Sequence, residues 1–199
     1  MNQQRSVIYG QRQQVLRGEN MHDVIAGMAD SLMDEACARF LAGDNQRDWD
    51  LNGLRDYVER LCIPAGTIAA NQEAFLSFKR EDVAEFLKKT AARFYAEREA
   101  HIQELGIDMR ELERAILLRA VDLRWMDHID AMDQLRDGIG LRAYGQRDPV
   151  NEYKLESYDM FEEMVRLIRE DTVRRLYQLK IERAPERRAA AQPTVATHG

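Results

Sequence analysis

The sequence has few of the residues that cross-link small domains and few that break helices. It contains only two cysteines and four prolines among its 199 residues. Cys37 and Cys62 form neither a disulfide framework nor a metal-binding motif. Each lies at an apolar position of a helical pattern, which predicts a buried thiol. Because prolines are rare, long segments are free to form uninterrupted helices.

Long apolar runs are also lacking. No run approaches the ~20 residues needed to cross a bilayer, and the opening stretch "MNQQRSVIYG" is polar, unlike a signal peptide. We therefore expect a protein that is soluble or peripheral to a membrane. The 29 basic residues are outnumbered by 35 acidic ones, for a net charge of -6. An acidic chain is a poor general binder of phosphate backbones, so we expect no nucleic-acid partner.

Motifs for catalysis are absent too. The chain has no G-x-S-x-G elbow and no G-x-x-x-x-G-K-[ST] phosphate loop. The acidic stretch "DLRWMDHIDAMD" invites a metal site, but neither HExxH nor the Glu-x-x-His pairs of di-iron bundles occur. We predict no catalytic residue and no metal ligand. The acids of this stretch are expected to pair with arginines of a neighbouring helix or to face water: Asp122, Asp127, Asp130 and Asp133.

Apolar residues recur at three- and four-residue spacing through most of the chain, which predicts an all-α fold. A first helix covers about 3–16. A second, capped by Asn20, carries an apolar stripe that includes Val24. The segment "LNGLRDYVERLC" is a short helix, followed after "IPAG" by a less regular stretch and then by a helix over about 80–105. We expect the first helix to pack against the C-terminal half, with the middle module (about 20–105) as an excursion.

Two long helices are predicted in the C-terminal half. The first covers about 108–137 and ends at Asp137-Gly138, and Trp125 lies in its apolar stripe and so is expected in the core. Asp148 stands where an N-cap belongs and Pro149 where a first helical residue belongs, so the second helix starts there and continues to about Arg183. Together they form an antiparallel hairpin roughly 45 Å long. The last stretch has no periodicity, which predicts disorder.

The stretch "GIGLRAYGQRDP", residues 138–149, forms the tip of this hairpin. Its glycines leave the backbone adaptable, and Tyr144 offers a large contact area with a polar end. Such a tip suits sequence-tolerant contact with another polypeptide. It equally suits a long loop folded back on neighbouring helices, and the residue types leave both alternatives open.

The stretch from Leu118 to Leu176, "LRAVDLRWMDHIDAMDQLRDGIGLRAYGQRDPVNEYKLESYDMFEEMVRLIREDTVRRL", closely resembles the C-terminal region of the SecA family, the ATP-driven motors of bacterial protein translocation. "QRSVIYGQR" resembles the family's long scaffold helix. The resemblance is strongest over about 112–176 and weakest in the middle module. It implies the end of a scaffold helix (1–18), a helical wing domain (19–106), a two-helix finger (107–183) and a tail (184–199).

In this family the finger inserts toward the cytoplasmic mouth of the SecY channel and touches the unfolded preprotein. Tyr144 matches the family's contact tyrosine, and the resemblance implies that Leu141, Arg142 and Gln146 contact the polypeptide beside it. From charge, we expect Arg147 to contact acidic groups of the channel. The resemblance further implies that the finger restrains ATP hydrolysis, and that the protein is cytoplasmic and peripheral on the cytoplasmic face of the inner membrane.

The chain departs from the family pattern at both ends. The nucleotide-binding and preprotein cross-linking domains are missing, so ATP and magnesium belong to the upstream motor domains of a full-length protein. We expect this fragment to be inactive as an ATPase alone. The tail lacks the Cys-x-Cys of the family's zinc motif, which leaves no support for zinc or for the chaperone SecB. The alternative function is a stand-alone helical protein-interaction module without enzymatic activity.

Overall fold

The structure is a computed structural model that describes residues 2–17, 21–43, 45–142 and 148–179, with the backbone alone for 140–142. The described part contains seven α-helices, one short 3₁₀-helix at Gln46–Asp48 and no strand, which confirms the all-α prediction. The helices are α1 (Asn2–Leu16), α2 (Met21–Phe40), α3 (Leu51–Leu61), α4 (Thr67–Phe75), α5 (Arg80–Glu104), α6 (Met109–Arg142) and α7 (Pro149–Gln178).

The hairpin of α6 and α7 is the longest feature of the molecule. The predicted start of α7 is confirmed, since the Asp148 carboxylate accepts a hydrogen bond of 3.0 Å from the Val150 amide and Pro149 is the first helical residue. The predicted end is wrong: Leu179 has ψ 120°, so α7 stops at Gln178 rather than near Arg183. The predicted disordered tail lies outside the described residues.

The predicted stop of α6 at Asp137-Gly138 is also wrong, because the helix continues to Arg142. A glycine stop requires a left-handed backbone, and Gly138 is not among the glycines with positive φ, whereas Gly106, which follows α5, has φ 75°. Glycine inside a helix costs only about 1 kcal/mol relative to alanine. A single glycine therefore does not end a helix whose hydrogen bonds can continue on both sides.

Helix α4 was not predicted; the sequence pattern indicated a less regular stretch there. Its N-cap is Gly66, which offers no side chain to the first amides. Glu59 of α3 supplies the missing acceptors instead, taking hydrogen bonds from the amides of Gly66 (3.0 Å) and Ile68 (3.1 Å). Because the capping group comes from another helix, the local sequence lacks the usual start signal.

The middle module (α2 to α5) surrounds a core to which all four helices contribute, and the predicted stripe of α2 is buried or half-buried there except at Val24. Val24 is 40% exposed, because it lines an open groove of about 240 Å³ between α1, α2, α6 and α7. The predicted cap Asn20 lies outside the described residues.

The first helix packs on the hairpin as expected. Ile8 and Val15 of α1 are buried, and Arg12 pairs with Asp122 of α6 at 3.1 Å. The middle module is less separate than expected, because α2 and α3 also contact α7. The predicted domain boundaries, after residues 18, 106 and 183, stay a prediction.

Both cysteines are buried, as predicted. Burial raises the pKa of Cys37 to about 12 and that of Cys62 to about 12, mainly because a thiolate would be desolvated. At pH 8 the reactive thiolate is therefore almost absent from the folded protein.

We expect iodoacetamide to leave both cysteines of the folded chain unmodified over minutes at pH 8. The rate of alkylation should be at least about a hundredfold lower in the folded chain than in denaturant. Mass spectrometry of quenched samples measures both sites. Cys37 lies on the buried face of α2, so rapid labelling of Cys37 in buffer would contradict the burial of that face.

Candidate functional site: the hairpin and its supports

The sequence places the candidate site at the tip of the hairpin. Tyr144, Gln146 and Arg147 lie outside the described residues. Leu141 and Arg142 belong to the last turn of α6, and their backbones alone are described. The roles assigned to these five residues stay predictions. The described part shows the platform that carries them and the contacts that hold it.

The outer part of the hairpin, beyond Leu135 of α6 and before Met164 of α7, lies outside the core, and α1 contacts it at Ser157. Among the side chains that the structure describes, the last buried one in α6 is Leu135 and the first in α7 is Met164, fifteen positions after Pro149. Leu155 on this outer part of α7 is 69% exposed, and Val150 and Tyr158 are exposed as well. The hairpin thus projects beyond the core and presents apolar side chains to its surroundings.

An ion pair joins the two helices nearer the core. The Nε atom of Arg124 lies 2.7 Å from Oδ2 of Asp171, and its Nη2 lies 2.6 Å from the same oxygen. Arg174 pairs with the other oxygen, Oδ1. The Asp171 side chain is only 4% exposed, so both of its oxygens depend on these guanidinium groups.

A second buried carboxylate, Glu113, fixes the base of α6. Its side chain is fully buried and accepts two hydrogen bonds from Nη1 of Arg110, at 2.6 and 2.8 Å, and one from the Tyr95 hydroxyl of α5. Nδ1 of His22, from α2, lies 4.0 Å away. Burial raises the pKa of Tyr95, and the hydrogen bond to Glu113 adds to that rise, so Tyr95 stays a donor at neutral pH.

The middle module holds α7 through a polar contact on its other side. Glu170 accepts a hydrogen bond of 2.6 Å from the Tyr57 hydroxyl of α3 and pairs with Arg166 one turn away. Next to it, Arg169 lies 2.7 Å from Glu35 of α2. The base of the hairpin is thus tied to α2, α3 and α5.

Helix α1 supports the hairpin further out. The Gln4 amide lies between His128 of α6 and the backbone carbonyl of Ser157 in α7. The His128 ring is buried between Trp125 and Phe161, with centroid distances of 5.6 and 5.9 Å. Trp125 is buried, as predicted.

In the acidic stretch of α6, the predicted pairing with an arginine of a neighbouring helix is confirmed for Asp122, and the other predicted outcome, exposure to water, for Asp127, Asp130 and Asp133. Asp122 pairs with Arg12 of α1, as noted above. Asp127 and Asp133 lie 3.7 and 3.3 Å from arginines of their own helix, Arg124 and Arg136. Throughout the part of the chain that the structure describes, no group of three His, Cys, Asp or Glu side chains is arranged to hold a metal ion.

Sequence reasoning missed most of these supports, among them Glu113, Asp171 and Gln4. The first two carried a readable signal. Glu113 lies one turn before Leu117 in the apolar stripe of α6, and Asp171 lies three residues after Ile168 in that of α7. An acid at an apolar position predicts a buried, paired carboxylate. Gln4 carried no such signal, because its partners lie more than 120 residues away.

Comparison with known proteins assigns this arrangement to one family. Residues 1–180 match the model of the SecA wing and scaffold domain. Among curated proteins, the protein translocase subunits SecA of Syntrophomonas wolfei and Acetivibrio thermocellus are 45% and 44% identical over 94% and 100% of this chain, and each alignment covers 22% of the relative. The SecA subunit of Heliobacterium modesticaldum is 46% identical over 91% of this chain and 21% of its own. The chain thus spans about a fifth of the length of these relatives.

None of the helices within the described ranges is long and apolar enough to cross a membrane.

The Arg124–Asp171 contact predicts an asymmetric response to mutation. Arg124→Met leaves a buried carboxylate with half of its partners, so we expect a loss of about 1–3 kcal/mol in the free energy of unfolding. The double variant that combines Arg124→Met with Asp171→Leu should be less destabilised than Arg124→Met alone, because it no longer contains the buried carboxylate. Urea unfolding measures all three proteins.

The matched control is Arg136→Met, which removes an arginine that pairs with Asp133 on the exposed side of the same helix. It should change stability by no more than about 0.5 kcal/mol. If Arg124→Met behaves like Arg136→Met, the ion pair does not hold the hairpin together.

The buried ring of His128 predicts that the stability of the fold depends on pH. Burial lowers the pKa of His128 below its ordinary value near 6.5, so the unfolded chain binds the proton more readily than the folded one. The folded state therefore loses stability as pH falls below about 6.5. We expect His128→Gln to flatten the stability profile between about pH 6.5 and 5 relative to the parent protein. Urea midpoints across this window measure it, and parallel slopes for the two proteins would refute a buried, neutral His128.

Proposed function

The chain belongs to the SecA wing and scaffold family, and from this membership we propose that it is the scaffold, wing and finger part of an ATP-driven protein translocase. In this proposal α1 is the end of the scaffold helix, α2 to α5 form the wing, and α6 with α7 form the two-helix finger. The finger contacts the unfolded preprotein at the cytoplasmic mouth of the SecY channel. The protein acts on the cytoplasmic face of the inner membrane as a peripheral subunit.

The observation that carries the proposal is the projection of the hairpin beyond its supports. From the level of His128 to the end of α6 at Arg142 are fourteen residues, or about 21 Å of helix. A tip carried this far beyond the Gln4 contact can enter a confined opening without the wing following it. An adaptable, glycine-containing segment with one large aromatic residue, Tyr144, suits contact with chains of many sequences.

The exposed face of α1 supports a partnership with upstream motor domains. Tyr9 and Leu16 are both about half exposed and lie seven residues apart, which places them on one side of the helix. They lie about 100° around the helix from Ile8 and Val15, beside the buried face. Because α1 already packs on the hairpin, its open apolar face is available to pack against a further domain. In this proposal that domain binds ATP and magnesium, and its motion displaces α1.

The charge of the tip supports contact with the channel. Arg142 and Arg147 add positive charge to a chain whose net charge is -6. In the proposed mechanism, Arg147 pairs with acidic groups of the channel while Tyr144, Leu141, Arg142 and Gln146 contact the preprotein. Contact at the tip is relayed through the finger to restrain or release ATP hydrolysis. Zinc and SecB have no place in this proposal.

The test places a photo-crosslinking amino acid, benzoylphenylalanine, at position 144 of the protein as its source cell makes it. With a stalled preprotein, irradiation should join position 144 to the preprotein and to the channel. The control is the same amino acid at Lys89, an exposed residue of the middle module, which should capture neither. Capture at 144 no stronger than at 89 would favour the stand-alone interaction module.

Tyr144→Ala should lower preprotein export several-fold and leave the helical circular dichroism signal unchanged, because the substitution removes contact area outside the core. Tyr144→Phe keeps the ring and should retain most of the export. Export is measured as protease-protected preprotein in inverted membrane vesicles. Equal export by the Ala variant and the parent would count against the role given to Tyr144.

A further inference from the structure

Gln4 occupies a special place on α1, because one side chain contacts both helices of the hairpin. Its Nε2 lies 3.0 Å from the carbonyl oxygen of Ser157 in α7, and its Oε1 lies 3.2 Å from Nε2 of His128 in α6. These partners are 153 and 124 residues away along the chain. The amide therefore bridges three helices at one level.

The chemistry of the three groups fixes the position of every proton in the bridge. The Ser157 carbonyl can only accept a hydrogen bond, so the NH₂ group of Gln4 must face it. The amide oxygen of Gln4 then faces His128 and can only accept. The Nε2 atom of His128 must therefore carry the hydrogen, and in the neutral ring Nδ1 is left without one.

Other contacts between α1 and the hairpin are less directional. Ile8 and Val15 contribute buried apolar surface, which depends on area rather than on alignment. Arg12 reaches Asp122 of α6, but both side chains of this pair are substantially exposed, and such pairs hold position weakly. The Gln4 bridge is partly buried and requires distances near 3 Å from both helices at once.

We propose that Gln4 is a positioning residue, which fixes the register of α1 against both helices of the hairpin so that displacement of α1 is passed to the tip. The functional part of this inference rests on the proposed function. The bridge lies about 21 Å of helix before the end of α6, so a tilt of about 10° at this level moves the end of α6 by roughly 4 Å. A small motion of α1 thus becomes a larger motion where the preprotein is contacted.

The first experiment reads the bridge directly in the 199-residue chain. Nitrogen NMR of the His128 ring at pH 7.5 should show the tautomer with hydrogen on Nε2. Gln4→Met, which keeps length but removes donor and acceptor, should yield a mixture of tautomers and exchange of the Nε2 hydrogen with water at least tenfold faster. Gln13→Met, at an exposed glutamine of the same helix, should change neither readout.

Gln4→Glu separates the two halves of the bridge. Its carboxylate can still accept from His128 but has no hydrogen for the Ser157 carbonyl, so it should keep the Nε2 tautomer and raise the pKa of His128. A parent protein with hydrogen on Nδ1, or a Gln4→Met protein with an unchanged tautomer, would overturn the bridge.

The second experiment measures coupling in the protein as its source cell makes it, with benzoylphenylalanine at position 144. Gln4→Met should lower capture of the stalled preprotein several-fold. Val15→Ala is the matched control, because it weakens packing of α1 without touching the bridge, and it should lower capture less at an equal loss of melting temperature.

The outcomes separate the two proposals. If the parent captures preprotein and Gln4→Met captures as much, the positioning role is overturned and the proposed function stands. If Val15→Ala lowers capture as much as Gln4→Met does, the effect is general loosening of α1, and the positioning role is likewise overturned. If the parent captures nothing, the proposed function fails, and the tautomer readout still decides whether the bridge exists.

Discussion

The two buried carboxylates of the hairpin, Glu113 and Asp171, constrain how the rest of the molecule fits together. A carboxylate removed from water must be paired, or folding loses several kcal/mol. Glu113 finds its partners in Arg110 and in Tyr95 of α5, while Asp171 finds its own in α6 and α7. Asp171 therefore holds α6 against α7, and the hydrogen bond that Glu113 accepts from Tyr95 limits the orientations of the hairpin base against the middle module.

A fixed base has consequences for the far end. The core stops near Leu135 and Met164, so the outer turns of both helices depend on each other and on what the base and α1 impose. Helices transmit tilt and rotation well because their backbone hydrogen bonds make them stiff. The structure thus combines a base that resists motion with an outer part whose direction is set by the base and by α1.

Much of the fold could be predicted from the sequence because its signals are local. Apolar spacing gave α2, α5, α6 and α7, and Asp148 followed by Pro149 gave the start of α7. Helix α4 escaped because Glu59 caps it from another helix, and the end of α6 was misplaced because Gly138 keeps a helical backbone. At the site, Glu113 was recoverable as an acid in an apolar stripe, whereas Gln4 acquires its partners only through tertiary packing.

The distribution of polar and apolar contacts along α1 explains how one helix can both hold the hairpin and set its position. Apolar surface stabilises any alignment that keeps it buried, so Ile8 and Val15 alone would tolerate small sliding of α1. Hydrogen bonds weaken steeply with distance and angle, so Gln4 favours one alignment over its neighbours. Partly buried polar groups contribute little net stability but strongly penalise a misplaced partner. The Gln4 contact lies nearer the tip of the hairpin than the buried Ile8 and Val15. The register of α1 is therefore set close to the outer part of the hairpin.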